Sequence, residues 1–431
     1  MHTCSKSLCV YFLLFVAVLI LSSSYDATAQ NRKIAIFGSS VANGSGDTTG
    51  AGGYTGIVSK MLEKKGWNVV NLSKGGDNTS KILPRFDEQL LPEKPGYVIL
   101  GLSLGNEGIA ASNELNRSRN FEKFRSGMQY LIRICRENGM YPIVVNCYAR
   151  SDFQEEQYAA VKKMNLVINT WDVPSVNVLG TIDNGKGNWL EGYYQDKSHP
   201  DFKGHQEMAF AFVPSMFDAI ESGKPLPYKI RSSVYLLVTQ PASSRPLTFT
   251  PADPVHSFSV SFLLKSSGNG IVAAIDGNGM SYLGINSGKV TYHSMSGEVI
   301  STDTTGENSG WQYVVVTHQY ASSKTSFYLN GKYVDNIIES IDLKEFILGG
   351  AGDMNNPAPD SAGYKDLLIY RSVLNSDEVQ ALYYDQLLQS SLEVYAPLDD
   401  IVFKSGTAAA NYAQSLSKLL IDGDYLTEIK K

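Results

Sequence analysis

Asp196 and His199 stand three positions apart in the segment DKSHP, residues 196–200. A hydrolase that activates a serine at neutral pH needs a base that titrates near 7, and histidine does so without special help. His199 and His205 are the only histidines between residue 30 and the region near residue 225. The spacing predicts one shared face of a helical turn, on which the carboxylate fixes the imidazole tautomer. An isolated Asp-x-x-His is more often a surface aspartate beside a structural histidine, so other segments must decide.

Residues 33–221 contain the elements that would position this pair. Short apolar strands are predicted at KIAIFG, WNVVNLS, YVILGLSLG and YPIVVNCYA, and amphipathic helices at 57–65, 121–138, 154–169 and from near Lys203. Apolar strands that alternate with helices imply a parallel sheet with helices on both faces. Ligands of such sheets bind beyond the carboxyl ends of the strands.

The residues that follow these strands are small or polar. They are Ser39 and Ser40 after the first strand, Gly75 and Gly76 after the second, and Gly105-Asn106-Glu107 after the third. Asp196 and His199 come just before the last helix of this half. We therefore expect all four segments to open onto one edge of the sheet.

Four segments in this order resemble the motifs of the SGNH, or GDSL-type, hydrolases: GSSVANG, NLSKGGDN, LGNEG and DKSHPDFKGH. The resemblance covers about residues 33–220 and implies a flavodoxin-like fold. By position it implies Ser40 as the nucleophile, Asp196 as the acid and His199 as the base. It also implies an oxyanion hole made of the N–H groups of Ser40 and Gly76 and the amide of Asn106. Such donors stabilise the tetrahedral intermediate that forms when a base-activated serine attacks an ester.

The chain departs from the family pattern at two positions. Ser39 replaces the usual aspartate before the nucleophile, so Ser39, Ser40 and Ser45 all need to be compared, although Ser40 aligns best. Glu107 replaces the usual aspartate after the asparagine, which bears on loop packing more than on mechanism. His205 is interpreted as structural, at the start of the last helix.

From about Pro225 the chain consists of short alternating segments punctuated by Gly, Asn and Ser, which is typical of an antiparallel sandwich. Asn330-Gly331 predicts a two-residue hairpin. The segments GWQYVVVTHQY, TSFYLNGKYV, FILGG and YKDLLIYRSVLNSDEVQALY resemble the laminin-G or concanavalin-A-like jelly-roll sandwich. We predict a hydrolase domain at 30–222 with its own core and an all-β sandwich at 223–395. A tail at 396–431 would pack on the sandwich, with a helical pattern around 408–420.

Residues 1–29 have the features of a secretory signal: an early lysine, a short apolar run and a small-x-small site that predicts cleavage after Ala29. The apolar run is shorter than the roughly 18 to 20 residues that span a bilayer, so we expect a secreted or periplasmic protein without a stable membrane anchor. The net charge of −6 and the lack of a basic run give no support to nucleic-acid binding. Neither a metal site nor a cofactor is indicated, and Cys135 and Cys147 are expected to be buried thiols.

These features predict a serine esterase that removes acetyl or similar small acyl groups from a carbohydrate, with the sandwich as an accessory domain. The partner would be an acylated glycan or another ester. A lipase or lysophospholipase of the same superfamily is one alternative, although the loop GSGDTTGAGGYTG after the nucleophile is small and polar. A glycan-binding surface protein with an inactive hydrolase domain is the other.

Overall fold

A five-stranded parallel sheet organises the first half of the chain. The computed structural model describes residues 31–239, 245–302, 310–351, 358–400, 402–423 and 425–429, so the predicted signal segment lies outside the described residues. The strands are β1 Lys33–Gly38, β2 Asn68–Asn71, β3 Tyr97–Gly101, β4 Tyr141–Val145 and β5 Ser175–Val176. Their order, β2-β1-β3-β4-β5, is the flavodoxin-like order and confirms the predicted fold class.

The strands are apolar because both faces of the sheet are covered. Ile34 to Phe37 of β1 are fully buried, as is Ile99 of β3 to within 1%. The helices of this half are α1 Gly53–Glu63, α2 Glu114–Glu137, α3 Glu155–Ile168, α4 Leu179–Ile182, α5 Phe202–Phe210 and α6 Met216–Glu221, with shorter helical turns at Leu83–Arg85, Phe86–Leu90, Leu91–Glu93 and Gly105–Ile109. Helix α1 contacts α5, and α2 contacts α3. Cys135 and Cys147 are free and buried in this core.

Helix α2 begins seven residues before the predicted start. Its first two turns, ELNRSRN, carry no buried apolar residue, so hydrophobic periodicity becomes visible only at Phe121. The start is set by Asn113, whose side chain accepts a hydrogen bond from the Asn116 N–H while the Asn116 side chain accepts one from the Asn113 N–H. This reciprocal cap uses asparagine where a glutamate or glutamine is the more familiar signal.

Two antiparallel sheets form the second half and enclose a separate apolar core. Two short strands, β6 Tyr194–Asp196 and β7 His199–Pro200, still belong to the first half. The strands of the second half are β8 Val234–Val238, β9 Leu247–Phe249, β10 Phe258–Ser267, β11 Gly270–Asp276, β12 Met280–Asn286, β13 Lys289–His293, β14 Val299–Ser301, β15 Gln312–Gln319, β16 Lys324–Leu329, β17 Lys332–Ile338, β18 Glu345–Leu348, β19 Ser361–Tyr370, β20 Leu392–Ala396, β21 Val402–Phe403, β22 Ala408–Ala409, β23 Leu419–Ile421 and β24 Tyr425–Ile429. Helix α7 spans Ser376–Tyr383. In the described residues one sheet runs β17-β16-β15-β10-β19-β8-β24-β21, with β20 also paired to β19, and the other runs β14-β13-β12-β11-β18-β9-β23-β22. This arrangement confirms the predicted sandwich.

The hairpin prediction is confirmed, and the helix predicted around residues 408–420 is wrong. Asn330 and Gly331, between β16 and β17, both have positive φ, 52° and 75°, as a type I′ turn requires. Strand β23 pairs with β9, and β24 pairs with β8. Hydrogen bonding to strands that are distant in the sequence stabilises the tail as strands, although its local periodicity is helical.

The sandwich is bonded to the edge of the parallel sheet. The Ser391 N–H donates to the Ser175 carbonyl at 3.0 Å, and the Asn177 N–H donates to Ser391 Oγ at 2.8 Å. Ser390 Oγ lies 2.6 Å from Ser175 Oγ, and all of these groups are buried. The backbone at Gly180 approaches Val373 so closely that a Cβ there would lie 2.0 Å from the Val373 carbonyl oxygen. The second half of the chain therefore covers the edge of β5, whose polar backbone groups would otherwise be exposed.

Candidate active site

A cavity of about 370 Å³ opens at the carboxyl edge of the parallel sheet. Its lining residues come from all four motif segments and from the segment after β4: Ser40, Ser45, Gly75, Gly76, Gly105, Asn106, Tyr148, Arg150, Ser198 and His199. Residues that lie far apart in sequence meet here because parallel strands present their carboxyl ends on one side. The expectation that the segments share one edge is confirmed.

The three candidate serines occupy different positions. Ser39 is fully buried, and its N–H donates to the Gly101 carbonyl at 3.0 Å. Ser40 is partly exposed and lines the cavity. Ser45 also lines the cavity, but its N–H donates to the Ser40 carbonyl and its own carbonyl accepts from His205. Ser40 is the serine of the first motif that combines access with a position directly after β1.

Asp196 and His199 are in contact, although not on a helical turn as their spacing predicted. They lie in a short antiparallel pair, β6 Tyr194–Asp196 and β7 His199–Pro200. His199 Nδ1 is 2.9 Å from Asp196 Oδ2, and the N–H groups of Ser198 and His199 donate to Asp196 Oδ1 at 2.7 and 3.0 Å. Burial tends to raise the pKa of Asp196, but the hydrogen bonds from His199 and Ser198 outweigh it and hold the pKa below its usual value. The carboxylate therefore stays ionised, and because it can only accept a hydrogen bond, the hydrogen of a neutral His199 ring lies on Nδ1 and Nε2 is the acceptor.

Three N–H donors belong to residues that line the cavity: the backbone N–H groups of Ser40 and Gly76 and the side-chain amide of Asn106. The backbone N–H groups of Ser40 and Gly76 donate to no acceptor within the described part of the chain. Asn106 Nδ2 donates to the Asp77 carbonyl at 2.9 Å, which orients the amide and uses one of its two hydrogens. Gly76 has a φ of 80°, and a Cβ there would meet nothing within 4 Å, so glycine is required by the backbone conformation and not by crowding.

Glu107 connects the second and third motif segments. Its side chain is fully buried and accepts hydrogen bonds from the Thr79 N–H at 3.0 Å and from Thr79 Oγ1 at 2.9 Å. Lys123 of α2 lies 2.9 Å from Glu107 Oε1 and balances the charge. The carboxylate thus supports the loop that carries Gly76, as expected of a residue that affects loop packing.

His205 and Asp47 hold the loop that follows Ser40. His205 is fully buried; its Nδ1 accepts from the Tyr54 N–H at 3.1 Å, and its Nε2 donates to the Ser45 carbonyl at 3.0 Å. Burial lowers the pKa of His205, so the ring is neutral in this position. Asp47 accepts from the Gly53 N–H at 3.0 Å, and bonds from Thr49 and Gly53 outweigh the effect of burial and bring its pKa to about 2. These contacts agree with the structural interpretation of His205.

Sequence analysis missed Tyr148 and Arg150 as lining residues. Tyr148 is buried, stacks on Trp189 at 5.6 Å and has a pKa raised by burial to about 12. Arg150 is held by Asp152 through two hydrogen bonds of 2.9 and 2.7 Å, which leave Nη1 unpaired with that carboxylate. Their position in the sequence could have indicated them, because they follow β4 as the motif residues follow β1, β2 and β3.

Among the described residues, no group of three or more His, Cys, Asp or Glu side chains has an arrangement that could hold a metal ion. The described helices also include none with the length and apolar content needed to cross a membrane.

Two family matches divide the chain in the same way as the fold. Residues 36–207 match the GDSL-like Lipase/Acylhydrolase family, and residues 245–380 match the Concanavalin A-like lectin/glucanases superfamily. A curated relative, the uncharacterized lipoprotein YqeF of Bacillus subtilis, is 24% identical over 141 residues, which are 32% of this chain. The alignment spans 56% of that relative, so the chain covers only about half of its length.

Solved structures with similarity to this chain are more distant. A candidate acylhydrolase from Bacteroides fragilis is 13% identical with a TM-score of 0.34, covering 44% of this chain and 87% of its own. A candidate carbohydrate-binding protein from Bacteroides ovatus is 14% identical with a TM-score of 0.37, covering 46% of this chain and 60% of its own. The family matches, and not these likenesses, identify the two domains.

Proposed function

We propose that this chain, whose residues 36–207 form a GDSL-like lipase/acylhydrolase domain, is an exported serine esterase that removes acetyl or similarly small acyl groups from a carbohydrate. In this proposal Ser40 is the nucleophile, His199 the general base and Asp196 its partner. Ser40, Gly76 and Asn106 supply the oxyanion donors. Residues 245–380 form a concanavalin-A-like accessory domain.

The proposed reaction gives each of these groups one role, and Ser40 and His199 line the same cavity. His199 Nε2 takes the proton of Ser40 Oγ as that oxygen attacks the ester carbonyl carbon, and Asp196 stabilises the imidazolium through Nδ1. The carbonyl oxygen becomes an oxyanion beside the free N–H groups of Ser40 and Gly76 and the amide of Asn106. His199 returns the proton to the departing sugar oxygen, which leaves an acyl group on Ser40. Water activated by His199 then releases the acid and restores the serine.

The residues that line the cavity support the proposal of a small acyl group. None of the described lining residues has an aliphatic side chain; glycines and serines border Ser40, and Asn106, Arg150 and His199 add polar groups. A long acyl chain needs an apolar groove to bury its methylenes, each of which contributes about 0.8 kcal/mol. Apart from the ring of Tyr148, this wall offers a long acyl chain no apolar side chain to pack against, whereas an acetyl group needs little burial. The polar groups of the wall also suit the hydroxyl groups of a sugar.

Hydrolysis of a substrate panel tests the proposal: an acetylated monosaccharide, an acetylated polysaccharide, and 4-nitrophenyl esters with acyl chains of two to sixteen carbons. We expect kcat/KM to be highest for acetyl esters and to fall with chain length, and Ser40→Ala to abolish turnover. Preference for the long chains would instead identify a lipase. If the wild-type protein binds glycans and hydrolyses none of these esters, the hydrolase domain is inactive and the proposal fails.

A further inference from the structure

A second and larger cavity, of about 500 Å³, lies where the two halves of the chain meet. We call it the junction groove and define it by Lys162, Asp183 and Lys186 of the first half and Ser322, Lys324 and Tyr333 of the second. Its volume is within the range of about 300 to 1,000 Å³ that is common for small-molecule sites. Neither the motif residues nor the catalytic proposal uses this cavity.

The junction groove carries more positive than negative charge. Lys186 and Lys324 are exposed and have no carboxylate partner within the described residues, while Lys162 is paired with Asp377 at 2.8 Å. The one acidic side chain of the described lining, Asp183, is buried and is already bonded to the Tyr158 hydroxyl and to the Gly185 N–H. An anion in the groove would therefore meet two ammonium groups that have no other partner.

The remaining lining suits a sugar. The Tyr333 side chain is 48% exposed at the rim and is held edge-on by Tyr328 at 5.6 Å, so its ring is a fixed, accessible aromatic surface. Ser322 and Ser326 also line the groove, and Ser322 Oγ donates to Gln319 Oε1 at 2.6 Å, which leaves its oxygen as an acceptor. An aromatic face with neighbouring hydroxyl groups matches the apolar face and the hydroxyl edge of a pyranose ring.

The loop of residues 183–190 separates the junction groove from the catalytic cavity and contacts residues of both. On one side, Asp183 and Lys186 line the groove. On the other, the Gly187 carbonyl accepts a hydrogen bond from the Arg150 N–H at 3.3 Å, and Trp189 stacks on Tyr148. A saccharide bound in the groove would therefore be separated from the catalytic cavity by one loop.

From this arrangement we infer that the junction groove binds a saccharide segment that carries carboxylate or sulfate groups, with Lys186 and Lys324 pairing with the anions and Tyr333 stacking on a ring. The inference goes beyond the proposed esterase activity, and it concerns binding at residues that take no part in catalysis.

Equilibrium binding to the full-length protein tests the inference. The probes are a hexagalacturonate, a sulfated hexasaccharide and neutral xylohexaose, measured by calorimetry at two salt concentrations. We expect the anionic probes to bind more tightly than the neutral one and to weaken as salt rises. The stronger of the two anionic probes identifies the anion. A Lys186→Ala/Lys324→Ala protein should lose roughly tenfold in affinity, because two charge-assisted contacts are removed.

The matched control is Lys60→Ala/Lys418→Ala, which removes the same charge from two exposed lysines outside the groove. Equal loss in the control, equal binding of the neutral probe, or no binding of any probe would each overturn the inference. If the groove variant misfolds, amine acetylation of the wild-type protein tests the inference instead. A bound anionic probe must protect Lys186 and Lys324 from acetylation and leave Lys60 reactive. Binding is independent of turnover, so an inactive esterase domain would not affect this result.

Discussion

Glu107 accepts two hydrogen bonds from Thr79, one from its backbone N–H at 3.0 Å and one from its hydroxyl at 2.9 Å. The contact joins the segment that carries Asn106 to the segment that carries Gly76, so two of the proposed oxyanion donors are positioned by one buried carboxylate. Lys123 completes the arrangement from α2.

Glu107→Ala should lower both stability and kcat. The change leaves the buried Thr79 groups without an acceptor, at a cost of about 1 to 3 kcal/mol, and frees the Gly76 loop. Denaturant unfolding and steady-state kinetics on an acetyl ester measure the two effects. Exposed Glu88→Ala is the matched control. If Glu107→Ala is destabilised but keeps full kcat, the contact supports the fold and does not position the donors.

Ser40→Ala should abolish ester hydrolysis with little effect on the melting temperature, because the hydroxyl faces the cavity and is not part of the core. Ser45→Ala should keep most activity, since Ser45 contributes to the loop through its backbone. A covalent serine probe followed by mass spectrometry should label the Ser40 peptide. Labelling of Ser39, or loss of activity in Ser39→Ala with Ser40→Ala active, would move the nucleophile to the buried neighbour.

Asn106→Ala should reduce kcat by roughly 100- to 1000-fold, the usual loss for one oxyanion donor. KM should change less, because the oxyanion forms only after binding. Asn78→Ala is the comparison, since Asn78 donates to the Asn106 carbonyl at 3.3 Å and not to the cavity. An unchanged kcat in Asn106→Ala would remove that amide from the oxyanion hole.

Acid should destabilise the fold through its buried histidines. Burial lowers the pKa of His318 to about 4 and also lowers that of His205. Unfolded histidine titrates near 6.5, so between about pH 6.5 and 4 the unfolded state binds more protons. The contribution of these histidines to the free energy of unfolding should therefore be largest above pH 6.5 and fall as the pH decreases, by roughly 3 kcal/mol for His318 alone. Denaturant unfolding of the wild-type protein and of His318→Gln at several pH values isolates this contribution, because all other groups titrate alike in both proteins. A difference in the free energy of unfolding between the two proteins that stays constant from pH 4 to 7 would contradict this expectation.

A chain that ends near Gly223 should be unstable. The sequence predicts an independent core for residues 30–222, but Ser175 and Asn177 use partners in residues 390–391. Their loss exposes the β5 edge together with buried polar groups. Thermal unfolding of the short and full chains, with activity on a small acetyl ester, tests this. Cooperative unfolding and full kcat in the short chain would show that the interface is dispensable.

The sequence alone determined the first four strands and four of the helices of the first half, and the sandwich character of the second half. It also indicated that Ser40, Gly76, Asn106 and His199 share one sheet edge. These conclusions depend on local patterns: apolar runs, turn residues and the position of a residue directly after a strand. The spacing of Asp196 and His199 predicted their contact but not its geometry, because a turn between two short strands can bring the same side chains together as a helical turn.

Other features were decided only by the tertiary structure. The tail forms strands because β8 and β9 offer it partners. The junction groove places Lys186 and Lys324, which are 138 positions apart in the sequence, in one cavity because the two halves pack against each other. Local periodicity carries no information about such pairs, since their contact depends on how separate elements pack and pair.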